Sequence, residues 1–148
     1  MASGITYFIL GHIDLSQEQF DEHYRSRIIK ATENPKNKFV MGSAPGADNM
    51  AQKLLVKLLE NEPNGLERIT VYHKGSKPET VADPRIRLVG GFGSHDEKDA
   101  AMTNNSNVDI AYVRPIEESK ILYGEKFNPN RISGTEKNLV RRNNSKLC

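Results

Sequence analysis

Short apolar runs alternate with segments of helical periodicity along most of this chain, and this alternation constrains its fold more than any other feature. The run 5–10 (ITYFIL) ends at Gly11, and segment 16–31 then carries apolar residues at four-residue spacing. Parallel strands need such long crossover connections. The pattern predicts an α/β fold, in which residues 1–148 form a single Rossmann-like domain. Its sheet is expected to be mostly parallel and five-stranded, with helices on both faces.

The later elements repeat the alternation. Strands are predicted at 39–41, 69–72, 86–89 and 108–113, and further helices at 47–58, 95–104 and 137–142. Ligands of such sheets bind beyond the carboxyl ends of the strands, where the strand order reverses. The turns that follow the strands are therefore the predicted positions of a functional site.

Three segments have no helical or strand period. Residues 74–85 are polar and hold two prolines, so they are predicted to be mostly loop. Residues 114–132 form either a plain surface insertion or a lid, in which Tyr123 or Phe127 stacks on a base. Residues 143–148 are expected to fray.

Composition narrows the class of protein. A chain of 148 residues that is 36% apolar and 27% charged has the size of one domain. Its net charge of +2 argues against a nucleic-acid binder, and no apolar run is long enough for a membrane span. A single cysteine, Cys148, and the lack of a signal peptide predict a cytoplasmic protein. The four histidines lack the spacing of metal ligands, so neither a metal nor a cofactor is expected.

The segment Gly42–Asp48 (GSAPGAD) is the most specific local motif, because it stands directly between a predicted strand and a predicted helix. Glycines allow a tight turn, and unpaired amides at a helix start attract an anion. The motif predicts a phosphate site or, alternatively, only a tight turn before a helix. The proposed ligand-binding residues of this segment are Gly42, Ser43, Gly46 and Ala47.

Three other turns are candidates for the same site. Ser133, Gly134 and Thr135 precede the last helix and offer hydroxyls and amides, although a helix cap explains Ser133 equally well. Gly91 follows the fourth predicted strand. It either contacts a sugar or only allows the chain to leave the strand and enter the next helix. His12 follows the first strand and either contacts phosphate or lies in a surface turn.

A nucleotide-cleaving activity would need a carboxylate to stabilise a sugar cation or to activate water. Three carboxylates stand near the predicted turns, and each also has a purely structural explanation at a helix start. These catalytic candidates are Asp48, Glu97 and Glu136.

Taken in order, these motifs resemble those of the SLOG superfamily, which includes the Lonely-Guy phosphoribohydrolases and the DNA-processing protein family. The resemblance rests on Gly42–Asp48 after a short strand, on the GHIDL turn at 11–15, and on DAAM at 99–102. It continues through DIA at 109–111 and the segment SGTEKN at 133–138, which is followed by two arginines.

The resemblance implies a Rossmann-like fold, a nucleotide or nucleotide-derived ligand and, often, a homodimer. Enzymatic members cleave the N-glycosidic bond of nucleoside monophosphates and carry a catalytic Glu in a Gly-Thr-x-x-Glu motif. Here Asn138 occupies the position of that Glu, and Glu136 stands two residues earlier on another side of the helix. Asn138 is one of the residues expected to bind ligand.

Three hypotheses follow. The first is a nucleotide-binding domain that hydrolyses the N-glycosidic bond of a nucleoside monophosphate. The second is a non-catalytic sensor or scavenger of a nucleotide-derived signal, which Asn138 favours. The third is an interaction module that keeps a vestigial pocket.

Overall fold

The structure is a computed structural model that describes residues 4–128 and 133–146. The strands are β1 (Thr6–Leu10), β2 (Lys38–Met41), β3 (Ile69–Lys74), β4 (Arg87–Phe92) and β5 (Val108–Ala111). They form one sheet in the order β4-β3-β2-β1-β5, and every neighbouring pair is parallel. The predicted five-stranded parallel α/β fold is confirmed.

The helices connect these strands and extend beyond the last one. The first connection is a continuous helical segment, made of α1 (Gln17–Phe20), a π-helical turn (Asp21–Arg25) and α2 (Ser26–Thr32). The later helices are α3 (Ala47–Leu59), α4 (His95–Asn104), α5 (Ile116–Tyr123) and α6 (Gly134–Lys146), with short 3₁₀ turns at Gly65–Arg68 and Gly124–Lys126. Within the described residues, no helix has the length and apolar character of a membrane span.

The helices α1, α4 and α6 each follow a serine with Gln or Glu three residues later, which is the sequence pattern of a capping box. The box at α1 is complete. Ser16 Oγ accepts a hydrogen bond from the Gln19 amide, and the Gln19 side chain accepts one from the Ser16 amide. Ser94 and Ser133 each accept from the amide three residues later. The Glu97 carboxylate accepts instead from the amide of Gly93.

Helices cover both faces of the sheet. On one face, α1 to α3 pack over a large core that includes Ile9, Phe39 and Met41. On the other, Phe8 and Leu10 pack in a smaller core with Val40, Tyr72 and Met102 of α4, and α6 lies beside α4. Successive side chains of a strand point to opposite faces, so the alternating residues of β1 enter both cores.

The strand order reverses at β1. From β1 the chain moves through β2 and β3 to β4, and it then returns to place β5 on the other side of β1. Because all strands are parallel, their carboxyl ends share one edge of the sheet, and the turns that follow them lie at that edge.

Several predicted boundaries were wrong. β4 continues through Gly90 and Gly91, where the strand was expected to end. A side-chain carbon added to Gly90 would lie 2.0 Å from the His73 ring, so this glycine is required by the neighbouring strand. β5 ends at Ala111, two residues earlier than predicted.

The predicted loop at 114–132 contains α5, whose eight residues include no buried side chain. Its apolar residues do not fall on one face, so the sequence lacked the period of a core-facing helix. α6 begins at Gly134 and continues to Lys146, so the expected frayed tail is helical as far as that residue. Residues 129–132, 147 and 148 lie outside the described part of the chain.

Candidate functional site

The Gly42–Asp48 turn connects β2 to α3 at the carboxyl edge and packs against the turn that follows β1. Gly46 has φ +80°, and a side-chain carbon there would lie 2.5 Å from the His12 carbonyl oxygen. The Ala47 amide donates to the same oxygen at 3.1 Å, and Ala47 is fully buried. This first amide of α3 is therefore committed to protein contacts rather than directed at a ligand.

A strap, residues 75–82, closes one side of the turn. The carbonyl of Ser43 accepts hydrogen bonds from the amide and the hydroxyl of Thr80, and Ser43 Oγ accepts one from the Glu79 amide. Gln52 of α3, which is fully buried, donates to the carbonyls of Gly42 and Thr80 and accepts from the Ala82 amide. These bonds fix the position of a segment that has no helix or strand of its own.

A pocket of about 350 Å³ opens between this turn, the strap and α4. We call it the lysine pocket, and it is lined by Ser43, Ala44, Lys74, Gly75, Lys77, Glu79, His95 and Lys98. Lys98 forms its floor and is only 7% exposed, whereas Lys74 and Lys77 are exposed at its rim. With three lysines and one carboxylate among its lining residues, the pocket is suited to an anion.

Lys98 is held at the floor by its own helix. Its Nζ lies 3.3 Å from His95 Nδ1 and 3.7 Å from Asp99 Oδ1. The sequence did not predict Lys98 as a site residue, because it lies in a polar helix and not in one of the glycine-rich turns from which the site was predicted. Lys74, Lys77 and His95 were missed because they also lie outside those turns.

Asp48 does not line the lysine pocket, but it contacts Ala44, which does. Its Oδ2 accepts a hydrogen bond from the Ala44 amide at 3.3 Å. Burial raises the pKa of Asp48 to about 7, against the opposing effect of the Lys98 ammonium. A carboxyl that titrates near neutral pH can act as an acid and as a base, which makes Asp48 the best placed of the three carboxylate candidates.

Gly42 separates Asp48 from Lys98. A side-chain carbon added to Gly42 would lie 2.6 Å from Asp48 Oδ2 and 3.4 Å from Lys98 Nζ. A side chain at position 42 would therefore collide with the Asp48 carboxyl, and a glycine is required for this close contact.

The other two carboxylate candidates have structural partners. Glu97 is exposed, and its side chain accepts from the Gly93 amide at 3.1 Å. Glu136 lies in the first turn of α6, where its amide donates to Ser133 Oγ, and its charge acts on His12. Neither residue lines the lysine pocket.

His12 lies at the switch point between β1 and β5. Its Nε2 accepts a hydrogen bond from the Arg114 amide at 3.0 Å, so this nitrogen carries no proton. Burial and the Arg114 guanidinium lower the pKa of His12, although Asp14 and Glu136 act in the opposite direction. The ring thus joins the ends of the two strands as a neutral acceptor.

Asp14 and Tyr123 attach α5 to this edge. Burial opposes ionisation of Asp14, but the hydrogen bond from Tyr123 and the guanidinium of Arg114 hold its pKa below the usual range. The Tyr123 hydroxyl lies 2.7 Å from Asp14 Oδ2, and Arg114 Nη2 lies 3.0 Å from Asp14 Oδ1. Phe127 is partly buried and lies just beyond the 3₁₀ turn that follows α5.

The start of α6 contributes packing more than free donors. Thr135 is buried, and Asn138 donates from Nδ2 to Asp99 Oδ2 at 3.1 Å while its Oδ1 accepts from Arg141. Asn138 therefore ties α6 to α4, next to Lys98. Gly134 is exposed and has open space where a side chain would be.

Gly91 lies at the other end of the edge, in β4. It has φ +88°, and its amide donates to the Gly75 carbonyl at 2.8 Å. Of the predicted site residues, Ser43 lines the lysine pocket, and Gly42 and Asp48 lie next to Lys98 without lining it. Gly46, Ala47, Gly91, His12 and the start of α6 also lie outside the lining of that pocket.

Fold and site together define a parallel α/β protein with a lysine-lined pocket at the carboxyl edge of its sheet. Within residues 4–128 and 133–146, no group of three histidine, cysteine or acidic side chains is arranged to hold a metal ion. No protein-family model, curated protein sequence or solved structure gives a significant match to this chain.

Proposed function

We propose that this chain binds a nucleotide or nucleotide-derived molecule through its phosphate in the lysine pocket. The observation that carries the proposal is the convergence of Lys98 with the rim residues Lys74 and Lys77 at the carboxyl edge of a parallel sheet. Ligands of this sheet class bind at that edge, and lysine is a common point-charge partner of phosphate.

The proposed mode of phosphate recognition is through side chains rather than helix amides. The amides of Ala44 and Ala47 already donate to Asp48 and to the His12 carbonyl. The hydroxyl proton of Ser43 would be a further donor, since its oxygen accepts from the Glu79 amide. Lysine ammonium groups would then supply most of the attraction, and binding should weaken as the salt concentration rises.

A non-catalytic sensor or scavenger is the form of the proposal that we favour. The resemblance to phosphoribohydrolases would need a Glu at position 138, whereas Asn138 is buried and engaged with Asp99 and Arg141. An amide in that position cannot serve as a general acid or base.

N-glycosidic hydrolysis is the second candidate function, and the position and raised pKa of Asp48 favour it. In this reaction water adds to the anomeric carbon of the sugar, the bond to the base breaks, and the base leaves with a proton. Asp48 would stabilise the sugar cation or activate the water.

The resemblance also carries a proposed homodimer. The exposure of Ile121 (86%) and Leu122 (53%) on α5 supports a subunit contact there. Sedimentation equilibrium would distinguish a dimer from a monomer.

A cytoplasmic location is also part of the proposal. A chain with a single cysteine forms no internal disulfide, as is usual in a reducing compartment.

Binding is tested by calorimetry with a panel of nucleoside mono- and diphosphates, comparing wild type with Lys77→Gln and Lys98→Gln. We expect at least one nucleotide to bind and both variants to lose about tenfold in affinity, because each removes a pocket cation. Lys57→Gln, an exposed site near the far end of α3, is the charge-matched control. Equal affinity in all four proteins, or no binding by any nucleotide, would contradict the proposal.

The same incubations decide between the two candidate functions. A sensor retains the nucleotide unchanged, whereas a hydrolase releases free base that chromatography detects. If base is released, loss of the release in Asp48→Asn with nucleotide binding retained would assign the reaction to that carboxyl.

A further inference from the structure

We infer that Asn138 of α6 is a positioning residue for the lysine pocket, because it orients Asp99, which in turn holds the Lys98 ammonium where an anion would meet it. The inference rests on the proposed function, and it adds a residue that acts through Lys98 without touching the ligand. It concerns the placement of a charge only; no covalent bond is made or broken.

The first contacts are those of Lys98 itself. Its Nζ lies 3.3 Å from His95 Nδ1 and 3.7 Å from Asp99 Oδ1, and both neighbours are on α4. An ammonium has three N–H donors, so these two contacts leave at least one donor for an anion in the pocket. The Lys98 side chain is only 9% exposed. Burial and the two contacts together restrict the ammonium to the floor of the pocket.

Asp99 is the middle residue of the connection. Its side chain is 20% exposed, so the carboxylate would be free to turn toward water if nothing held it. Asn138 Nδ2 donates to Asp99 Oδ2 at 3.1 Å. Because a carboxylate is a rigid planar group, fixing Oδ2 also fixes Oδ1, the oxygen that faces Lys98. The hydrogen bond from α6 therefore keeps Oδ1 beside the ammonium.

Asn138 is itself fixed, since it is 5% exposed and both ends of its amide are engaged. Its Oδ1 accepts a hydrogen bond from Arg141, which lies three residues later on α6, while its Nδ2 donates to Asp99. Neither Asn138 nor Asp99 lines the lysine pocket. α6 thus contributes to the pocket through α4, against which it packs, rather than by direct contact.

Holding a lysine in place before the ligand arrives should strengthen binding. A flexible lysine loses rotamer freedom when it contacts an anion, and this loss weakens the affinity by about two- to tenfold. Asn138→Ala should return that freedom to Lys98 and weaken anion binding by the same factor. The variant keeps the net charge of the protein, so the loss would not come from a missing cation.

A double-mutant cycle measured by calorimetric titration tests the inference. The four proteins are wild type, Asn138→Ala, Lys98→Gln and the double variant. The probes are a nucleoside monophosphate and sulfate, which keeps its charge at neutral pH, whereas a phosphate monoester titrates at about pH 6. We expect Asn138→Ala to weaken binding when Lys98 is present and to have no further effect when Lys98 is replaced.

Asn37→Ala is the matched control for stability. Asn37 is also 5% exposed, and its side chain pairs with the Ile5 amide and the Ala31 carbonyl. It lies just before β2, at the end of the sheet opposite to the pocket. This variant should lose stability in urea denaturation, as Asn138→Ala does, but should bind sulfate as wild type does.

Circular dichroism establishes that each variant is folded. Asn138→Leu removes the same two hydrogen bonds but keeps a side chain of similar length and a good helix former at this position. It replaces Asn138→Ala in the cycle if the alanine variant does not fold, and the same loss of affinity is expected.

The outcomes separate the two proposals. Wild-type affinity in the Asn138 variant overturns the inference and leaves the proposed function intact. An equal loss with and without Lys98, or an equal loss in Asn37→Ala, would show that Asn138 acts on stability alone, and it also overturns only the inference. No binding of sulfate or nucleotide by wild type overturns both.

Discussion

At the scale of single residues, Asp48 shows how a buried carboxyl can reduce stability. Its carboxyl is ionised near pH 4 in an unfolded chain, but it keeps its proton to about pH 7 in the folded protein. Between these values the folded state holds more protons than the unfolded state, so this residue lowers stability as the pH rises. Above pH 7 the loss is complete.

We therefore predict that Asp48→Asn stabilises the protein at alkaline pH. Asn can still accept the hydrogen bond from Ala44, and it carries no charge to bury. Relative to wild type, the free energy of unfolding should rise by about 2–4 kcal/mol at pH 8 and change little at pH 4. Urea denaturation at the two pH values measures the difference. Equal effects at both would show that ionisation of Asp48 is not the cause.

His12 affects the pH dependence of stability in the opposite direction. Its pKa is lowered, so the folded protein keeps the ring neutral where an unfolded chain would protonate it. Its contribution to stability is present above the usual histidine range and is lost as the pH falls. We predict that wild type loses stability between pH 7 and pH 5, and that His12→Asn reduces this loss. Thermal denaturation in matched buffers provides the measurement, and an unchanged pH dependence in the variant would contradict it.

At the scale of elements, the strap decides whether the lysine pocket has a second wall. Residues 75–82 include Lys77 and Glu79 but no helix or strand. Their position depends on hydrogen bonds to Ser43 and Gln52. A buried amide side chain with three backbone partners is a specific connection, because each partner would otherwise be left unsatisfied.

Replacing Gln52 by Leu should therefore affect both the strap and the pocket. The change leaves the buried Gly42 carbonyl and the partly buried Ala82 amide without these partners. An unsatisfied buried group costs about 1–3 kcal/mol, and a partly buried one costs less. Affinity for sulfate should fall as Lys77 loses its fixed position. Denaturation and calorimetry measure the two effects. Lys53→Gln, an exposed neighbour on α3, should change neither.

At the scale of the whole molecule, α6 is joined to β5 and to the end of α4 by one buried arginine. Arg142 donates to the carbonyls of Thr103 and Ser106 and forms an ion pair of 2.9 Å with Asp109. Both charged side chains are less than 10% exposed. Breaking one member of such a pair leaves the other buried and unpaired.

Arg142→Met should accordingly destabilise the protein by about 3–5 kcal/mol, since Asp109 would remain buried without a cation. Replacing Asp109 by Leu in the same chain should recover part of that loss. Lys137→Ala, on the exposed side of α6, is the control. If the double variant were less stable than the single one, the ion pair would not be the source of the effect.

The sequence predicted most of the framework for clear physical reasons. Alternation of strand and helix patterns requires parallel strands, and the serine at position 16 forms the complete capping box that its sequence indicates. The prediction failed for α5, because no face of that helix is buried and an unburied helix has no period to detect. It also failed for Gly90, whose fit against His73 depends on a neighbouring strand.

For the candidate site, the local sequence pattern located the Gly42–Asp48 turn. Tertiary contacts decided which of its groups pair with protein atoms and which face the lysine pocket. The sequence by itself determined that an anion site, if present, belongs at the strand ends, because periodicity and turn residues act over a few positions. Only the tertiary structure brought Lys98 and the strap, which are distant in the sequence, next to that turn. It also paired the Ala47 amide with the His12 carbonyl oxygen. Burial and the charge of a neighbour are properties of the assembled sheet edge, so the raised pKa of Asp48 could arise only there.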